Sequence, residues 1–200
     1  MSYDDKCRFC KTETESSSHL LSGCKTLLAE GYYTQRHNKL CKYIHWILCK
    51  EYQLPLEEKV WEHEPADICG NEEVTIYYDK VLPTGRYIEN SAVKPDLTIW
   101  NKTARTALLI EVSVPSDYGI NAAERVKKTK YLPLMEDLKS SWKLHRIDII
   151  PIIVGATGVV KKNLKDFCAK IPGNPAVLEL QIAAILGSKT ILKRTLSHSI

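Results

Sequence analysis

Residues 94–114 read KPDLTIWNKTARTALLIEVSV and contain two short apolar runs joined by a polar segment. The first run, at 97–99, includes a β-branched threonine and isoleucine and favours an extended chain. The intervening residues 101–104 have the composition of a turn. The second run, 106–114, is apolar on consecutive positions and stops before Pro115, which is typical of a strand that is buried on both faces. The stretch therefore predicts a β-hairpin at the centre of a sheet.

The hairpin carries one acid on each strand. Asp96 opens the first run and Glu111 lies near the end of the second, so an antiparallel pairing would present their carboxylates side by side. Proteins hold Mg²⁺ with one or two carboxylates and leave room for waters and a substrate phosphate. We therefore predict that Asp96 and Glu111 bind Mg²⁺ or Mn²⁺. The alternative is that Asp96 caps a turn and Glu111 pairs with a lysine.

A helix is predicted after the hairpin, over residues 118–134, with Pro133 kinking or ending it. Lys127, Lys130 and Tyr131 are spaced to share one side of this helix. A lysine stem can run along apolar surface and bring its ammonium to the acids, where it could orient a water or offset phosphoryl charge. The stripe predicted to face the sheet is Ala123, Val126, Lys130 and Leu134.

The lysines of this helix could instead form a solvated face. For Lys128 we prefer that interpretation, since Glu124 lies four residues earlier and can pair with it.

A metal-ligand pattern, C-x2-C-x8-H-x4-C, lies near the start of the chain. Its members are Cys7, Cys10, His19 and Cys24. Three thiolates and an imidazole make up a tetrahedral set that suits Zn²⁺. The segment between them has almost no apolar residues, so zinc binding would supply the folding energy. A site with four protein ligands is closed, and we predict that it is structural.

The remaining cysteines and histidines have no evident ligand spacing. Seven cysteines are an odd number and argue against a disulfide framework. We expect Cys41, Cys49, Cys69 and Cys168 to be small core residues. His37 and His45 are expected at the surface or at an interface.

Composition sets broad limits on function. The chain of 200 residues is 44% hydrophobic and 26% charged, as in an ordinary globular protein. A net charge of +4 permits a nucleic-acid partner without requiring one. No segment has the length and hydropathy of a secretion signal or a membrane span, so we expect a soluble intracellular protein with no membrane partner.

The other predicted elements cover most of the chain. They are a helix over 32–52 with a charged side that includes Arg36, an irregular segment over 54–70, a hairpin formed by 74–82 and 86–88, a buried strand at 147–155, and helices over 159–170 and 176–192. In the last helix, Val177, Leu178, Leu180, Ile185 and Leu186 are predicted to face the core.

The order KPD, fourteen residues, Glu111, then KxxKY resembles the restriction-like endonuclease of site-specific non-LTR retrotransposons, a branch of the PD-(D/E)XK nucleases. In most of that superfamily a lysine stands two residues after the second acid, but here Ser113 is found. The retrotransposon branch is similar to this chain in moving the lysine to the helix, which makes Lys127 and Lys130 the matching positions. The N-terminal pattern also resembles the CCHC zinc knuckle of the same family.

This resemblance implies an α/β fold with a restriction-endonuclease-like core, a central mixed sheet flanked by helices. It implies three units: a zinc knuckle over 1–31, a helical connector over 32–70 and a nuclease over 71–200. Arg8, Lys11, Lys25 and Tyr131 would contact nucleic acid. An additional acidic metal ligand would come from Glu58, Glu62, Glu64 or Glu89.

The resemblance also implies a nuclear protein that nicks double-stranded DNA at a genomic target site for target-primed reverse transcription. Element RNA would be a further partner, and a reverse transcriptase domain would be expected in a parent polyprotein. The alternative is a catalytically inactive, zinc-dependent nucleic-acid-binding module derived from such an element.

Overall fold

The structure, a computed structural model, describes residues 5–84 and 94–197, apart from the side chain of Lys128. Within these ranges the strands form one five-stranded sheet whose spatial order follows the chain. Strands β1 to β4 are antiparallel neighbours, and β5 runs parallel to β4. The strands are β1 (Ile68–Gly70), β2 (Val74–Tyr78), β3 (Leu97–Asn101), β4 (Thr106–Ser113) and β5 (Arg146–Ile153).

Helices precede the sheet, cross over between its last two strands and follow it. They are α1 (Ser17–Ser22), α2 (Lys25–Ala29), α3 (Tyr32–Glu51), α4 (Ile120–Lys130), α5 (Leu132–Ser141), α6 (Leu164–Cys168) and α7 (Val177–Ser197). A parallel pair of strands needs a long crossover, and α4 and α5 supply it between β4 and β5. The result is a mixed α/β fold with helices flanking a mixed sheet.

The predicted hairpin is present as β3 and β4. Leu97 pairs with Ile110 in this ladder, so the residues next in line at the edge of the pairing are Asp96 and Glu111. Strand β4 lies between β3 and β5, and its burial on both faces explains why its sequence is continuously apolar.

The two faces of the sheet pack against different helices. Ile110 and Val112 of β4 belong to the larger core, which also contains buried residues of α3 and α7. The alternate residues Ala107 and Leu109 point to the other side and pack with α5. Helix α3, predicted as part of a connector, therefore contributes directly to the core beneath the sheet.

Arg36 corrects the prediction of a charged outer side for α3. Its side chain is buried, and its guanidinium donates to the Ser188 hydroxyl and to the Val114 carbonyl oxygen. The polar partners from α7 and from the segment after β4 allow this charge to leave the surface.

The C-terminal helices differ from the predicted ones in extent and orientation. Of residues 159–170 only α6 is helical, whereas α7 continues to Ser197. Leu180 of α7 is buried as predicted, but Leu178, Ile185 and Leu186 are exposed. The buried face instead includes small residues, among them Ala184, Gly187 and Ser188, because α3 passes so close that a Cβ on Gly187 would lie 2.4 Å from Arg36 Cγ.

Two further predictions can be compared with the described part of the chain. The first strand of the predicted 74–82 hairpin ends at Tyr78 as β2, which pairs with β1 and β3, and its predicted partner at 86–88 lies outside the described residues. No helix within 5–84 and 94–197 is long and apolar enough to cross a membrane.

Candidate functional site

Asp96 and Glu111 are tied to each other's strands at one end of the hairpin. The Asp96 backbone N–H donates to Glu111 Oε1 at 3.0 Å, and the Val112 N–H donates to Asp96 Oδ2 at 2.7 Å. These reciprocal bonds fix both carboxylates relative to the sheet. Glu111 is fully buried, while 16% of the Asp96 side chain is exposed.

Lys127 of α4 supplies a cation to both acids. Its Nζ lies 2.6 Å from Glu111 Oε2 and 3.6 Å from Asp96 Oδ2. Helix α4 thus turns Lys127 toward the sheet. The predicted sheet-facing stripe is wrong on this point, since Val126 is 61% exposed and Lys130 is exposed.

Lys130 and Tyr131 lie beside Asp96, Glu111 and Lys127. The Lys130 ammonium donates to the Tyr131 hydroxyl at 3.0 Å, and that hydroxyl donates to the Lys94 carbonyl oxygen at 2.9 Å. Only 1% of Tyr131 is exposed, so its ring offers no face on which a base could stack. Tyr131 supports the site from within the core, which corrects its prediction as a nucleic-acid contact.

His37 joins the site from α3, which the sequence did not predict. Its Nε2 lies 3.2 Å from Asp96 Oδ2, and its Nδ1 lies 3.7 Å from Cys41 Sγ, one helical turn later. The His37 side chain is 26% exposed, so it lies partly at the surface while it contacts the site. In the sequence, the i, i+4 spacing of His37 and Cys41 places both side chains on one face of α3. That this face meets the start of β3 follows only from the packing of the two elements.

The four charged groups shift one another's proton affinities. Burial acts to raise the pKa of Asp96, but His37 and Lys127 hold it below its ordinary value. Burial and the nearby charge of Asp96 raise the pKa of Glu111 in spite of Lys127. Burial opposes the charge on Lys127, yet the two carboxylates raise its pKa.

His37 shows the same balance. Burial disfavours its cationic form, but hydrogen bonding, first to Asp96, raises its pKa to about 11. The site therefore places two acidic side chains, one with a lowered and one with a raised pKa, beside two basic side chains whose pKa values are raised.

The carboxylates of Asp96 and Glu111 share one cationic neighbour. Two carboxylates converge on one position, where Lys127 Nζ already sits within reach of both. Mg²⁺ and Mn²⁺ favour carboxylate oxygens and water.

Within the described residues, no glutamate predicted as an additional metal ligand is seen beside Asp96 and Glu111. Glu62 pairs with Lys59, and Glu64 pairs with Lys42. Glu58 is exposed, and Glu89 lies outside the described residues. In the described part of the chain, the side chains that contact Asp96 are those of Glu111, Lys127 and His37. None of the predicted additional acids that the structure describes is among them.

The N-terminal cluster, defined as Cys7, Cys10, His19 and Cys24, brings its four ligand atoms within 4.8 Å of one another. Cys7 Sγ and Cys24 Sγ are 3.8 Å apart, and Cys10 Sγ is 3.4 Å from His19 Nε2. Hydrogen bonds led by the Glu13 backbone lower the pKa of Cys10 to about 5, which favours the thiolate that metals bind. The cluster could hold a metal such as zinc.

Local structure explains how the N-terminal cluster forms. Lys11 adopts a left-handed conformation, and its N–H donates to the Cys7 carbonyl oxygen, which closes the turn between the first two cysteines. The Ser16 hydroxyl accepts from the His19 N–H and caps α1. Leu20 and Leu21 then pack with Ile191 of α7 in a small core.

The predicted nucleic-acid contacts near this cluster have different surroundings. Arg8 binds Glu15 through its side chain and donates to the Thr195 carbonyl oxygen at 3.2 Å. Lys11 and Lys25 are exposed.

No protein-family model matches this chain, and no curated protein matches it in a sequence comparison.

Proposed function

We propose that this protein is a divalent-metal-dependent DNA endonuclease that nicks one strand of a target duplex. The observation that carries the proposal is the convergence of Asp96, Glu111 and Lys127 at one end of β3 and β4. Two carboxylates and a lysine at the edge of a mixed sheet are the constellation that the resemblance to restriction-like nucleases requires. The sheet with flanking helices is compatible with that fold.

Each residue would have a defined role in hydrolysis. Asp96 and Glu111 would hold a Mg²⁺ or Mn²⁺ ion, which when bound lowers the pKa of a coordinated water and offsets charge on the phosphoryl group. Lys127 would donate to the attacking water or to a phosphate oxygen and so stabilise the developing charge. His37 would orient the Asp96 carboxylate through its 3.2 Å contact.

The N-terminal cluster would serve the same function as a zinc knuckle. Its compact ligand set supports a structural zinc ion. The exposed Lys11 and Lys25 would place positive charge beside it that can contact a nucleic-acid backbone, and Arg8 would have to exchange its contact with Glu15 for one with a phosphate. By resemblance, the nick would prime reverse transcription by a polymerase elsewhere in a parent polyprotein, and the chain would act in the nucleus on DNA and element RNA.

A zinc-dependent nucleic-acid-binding module without nuclease activity is the second candidate. The observation that favours it is that Lys127 and His37 already pair with the two acids, so the network is neutralised without an added ion. Ser113 in place of the lysine usual in the superfamily points the same way. Such a module would bind nucleic acid and leave it uncut.

Plasmid nicking separates these candidates. Purified protein loaded with zinc is incubated with supercoiled plasmid and Mg²⁺ or Mn²⁺, and wild type is compared with Asp96→Ala and with the control Asp166→Ala, whose residue is exposed on α6. The nuclease proposal expects relaxed plasmid from wild type and Asp166→Ala only. DNA binding without metal-dependent nicking by wild type would reject the nuclease and favour the module.

A further inference from the structure

A second group of cysteines and histidines lies between α3 and β1. His45 and Cys49 are one turn apart on α3, His63 comes from the irregular segment that follows, and Cys69 is on β1. We call these four residues the α3–β1 cluster. Its two cysteines are predicted core residues and His45 a predicted surface or interface residue, but His45 is 1% exposed.

Three members of the α3–β1 cluster already surround one point, and Cys69 lies next to them. Ligand atoms of His45, Cys49 and His63 all lie within 4.8 Å of one another. Cys49 Sγ is 3.5 Å from His45 Nδ1 and 4.0 Å from Cys69 Sγ. Cys69 Sγ is 3.5 Å from His45 Nε2, the other ring nitrogen, so the Cys69 side chain has to turn toward His45 Nδ1 to join the other three ligand atoms on one ion.

These separations approach the edges of a zinc tetrahedron. Zn–S bonds of about 2.3 Å and Zn–N bonds of about 2.0–2.1 Å imply ligand atoms roughly 3.3–3.8 Å apart. The Sγ–Sγ and Sγ–N distances are close to that range. The exception is the 2.7 Å between His45 Nδ1 and His63 Nε2, which is a hydrogen bond, and an ion would part these nitrogens by about half an ångström.

The partner of His63 suits a metal ligand. Its Nδ1 is hydrogen-bonded to Glu57 Oε2 at 2.5 Å, which leaves Nε2 directed into the cluster. A carboxylate on the far nitrogen of a ligating histidine fixes the tautomer and strengthens the ligand. His63 is buried while Glu57 is at the surface, so this pair runs from the solvent to the cluster.

The segment between α3 and β1 buries little apolar surface of its own, and a bound metal would help to order it. Residues 52–67 contain no helix or strand among the described elements, and only Leu54 and His63 of that stretch are buried. So little apolar burial cannot offset the conformational entropy of ordering the chain. A metal bound to His63 and Cys69 would attach the later part of this stretch, and β1 after it, to α3.

We propose that His45, Cys49, His63 and Cys69 bind a second structural zinc ion, separate from the N-terminal cluster. On binding, the His45 proton that bridges to His63 moves from Nδ1 to Nε2, and the two thiols release their protons to solvent, which leaves a neutral site of zinc, two thiolates and two neutral imidazoles. The site is closed by four protein ligands, so it stabilises the fold and takes no part in catalysis. It is independent of the proposed nuclease activity.

Zinc stoichiometry and cobalt spectra test this site on the full chain. We expect two zinc ions per wild-type chain, and one in Cys49→Ser, in Cys69→Ser, and in the N-terminal variant Cys7→Ser/Cys10→Ser. Cys168→Ser is the matched control, because Cys168 is a buried cysteine outside both clusters, and it should keep two ions. In cobalt-substituted protein, thiolate charge-transfer absorption should fall from five thiolates in wild type to three in Cys49→Ser.

A single zinc ion in wild type, lost in the N-terminal variant and kept in Cys49→Ser, would overturn the proposal. Thiol titration after denaturation and chelation gives an independent reading that requires no folded variant. Seven free thiols are expected in wild type and five in Cys7→Ser/Cys10→Ser. Five and three would mean a disulfide that does not involve Cys7 or Cys10, for which Cys49 and Cys69 are the nearest pair, and this outcome too would overturn the proposal.

Discussion

Lys127 Nζ lies 2.6 Å from Glu111 Oε2, although the two residues are sixteen positions apart in the chain. The contact crosses from the first helix of the β4–β5 crossover to a fully buried carboxylate on the central strand. Burying a carboxylate without a partner costs free energy, and Lys127 is the cation that pairs with Glu111. This relationship selects Lys127 over Lys130 as the lysine of the candidate site.

Replacing Lys127 should therefore have a large effect on nicking. We expect Lys127→Ala to lower the single-turnover nicking rate by about 100-fold or more, the scale seen when one transition-state donor is removed. Lys130→Ala should stay within a few-fold of wild type, because its ammonium contacts the Tyr131 hydroxyl and not the acids. Equal losses in the two variants would contradict the assignment.

Replacing Lys127 with methionine, which keeps much of the side-chain volume and removes the charge, should also affect stability. Removing one partner of a buried ion pair typically costs about 3–5 kcal/mol, and since 21% of Lys127 is exposed the loss should fall at or below the lower end. The loss should shrink at acid pH, because protonation of Glu111 removes the unpaired charge. Urea denaturation of Lys127→Met at pH 7 and pH 5 measures both effects. A pH-independent loss would mean that Lys127 acts through packing alone.

His37 should make stability depend on pH in the alkaline range. Its pKa is raised from 6.5 to about 11 in the folded chain, so its pairing with Asp96 stabilises the protein fully below about pH 6.5. That stabilisation should decline as the pH rises toward 11, by at most about 1.4 kcal/mol per pH unit. The difference in unfolding free energy between wild type and His37→Gln, measured with excess zinc, should shrink from pH 6.5 to pH 9.5.

Exposed His145 provides the control for that measurement. His145→Gln should show no comparable trend over the same interval. A gap between wild type and His37→Gln that stays constant or widens with pH would show that His37 is not a cation paired with Asp96.

Gly187 should be intolerant of a methyl group in spite of its helical position. Glycine to alanine normally favours a helix by about 1 kcal/mol, but a Cβ here would lie 2.4 Å from Arg36 Cγ and 2.7 Å from Arg36 Cβ. We expect Gly187→Ala to destabilise the chain by about 1–3 kcal/mol. Thermal unfolding of Gly187→Ala measures this, and a stabilised variant would show that α3 and α7 pack less closely.

Zinc removal should loosen the N-terminal segment, because residues 5–31 contain few buried apolar side chains besides Leu20, Leu21 and Leu27. Trypsin after chelation should cut at Lys11 and Lys25 at least ten times faster than in the zinc-loaded protein. Restoring zinc should restore protection. Unchanged cleavage at both lysines would mean that the N-terminal cluster does not need a metal to fold.

The parts of the fold that sequence reasoning found are those with strong local patterns. The continuous apolar run of β4 and the run at β5 predicted buried strands, and the polar break between β3 and β4 predicted their turn. The register of that hairpin then brings Asp96 and Glu111 together. The sequence predicts Lys127 as a candidate site residue. It also predicts that Val126 faces the sheet, because Val126 is apolar, but Val126 is exposed and the next residue, Lys127, faces the sheet instead.

The features that were missed depend on contacts between distant elements. The sequence predicts Arg36 as a surface charge, because nothing in it shows that the Ser188 hydroxyl and the Val114 carbonyl oxygen accept hydrogen bonds from the buried guanidinium. His37 becomes part of the site only through the packing of α3 against the start of β3. The α3–β1 cluster draws its ligands from a helix, a loop and a strand, so no fixed spacing marks it in the sequence.

The most direct test of the central claim is a crystal structure grown with Mn²⁺, in which anomalous scattering locates the ion. Our account predicts a Mn²⁺ peak bound by carboxylate oxygens of both Asp96 and Glu111, with Lys127 Nζ moved away from Glu111 Oε2. Asp96→Asn crystals should lack the peak. A wild-type structure that shows no Mn²⁺ between the two acids at saturating concentration, with Lys127 still bonded to Glu111, would contradict the account.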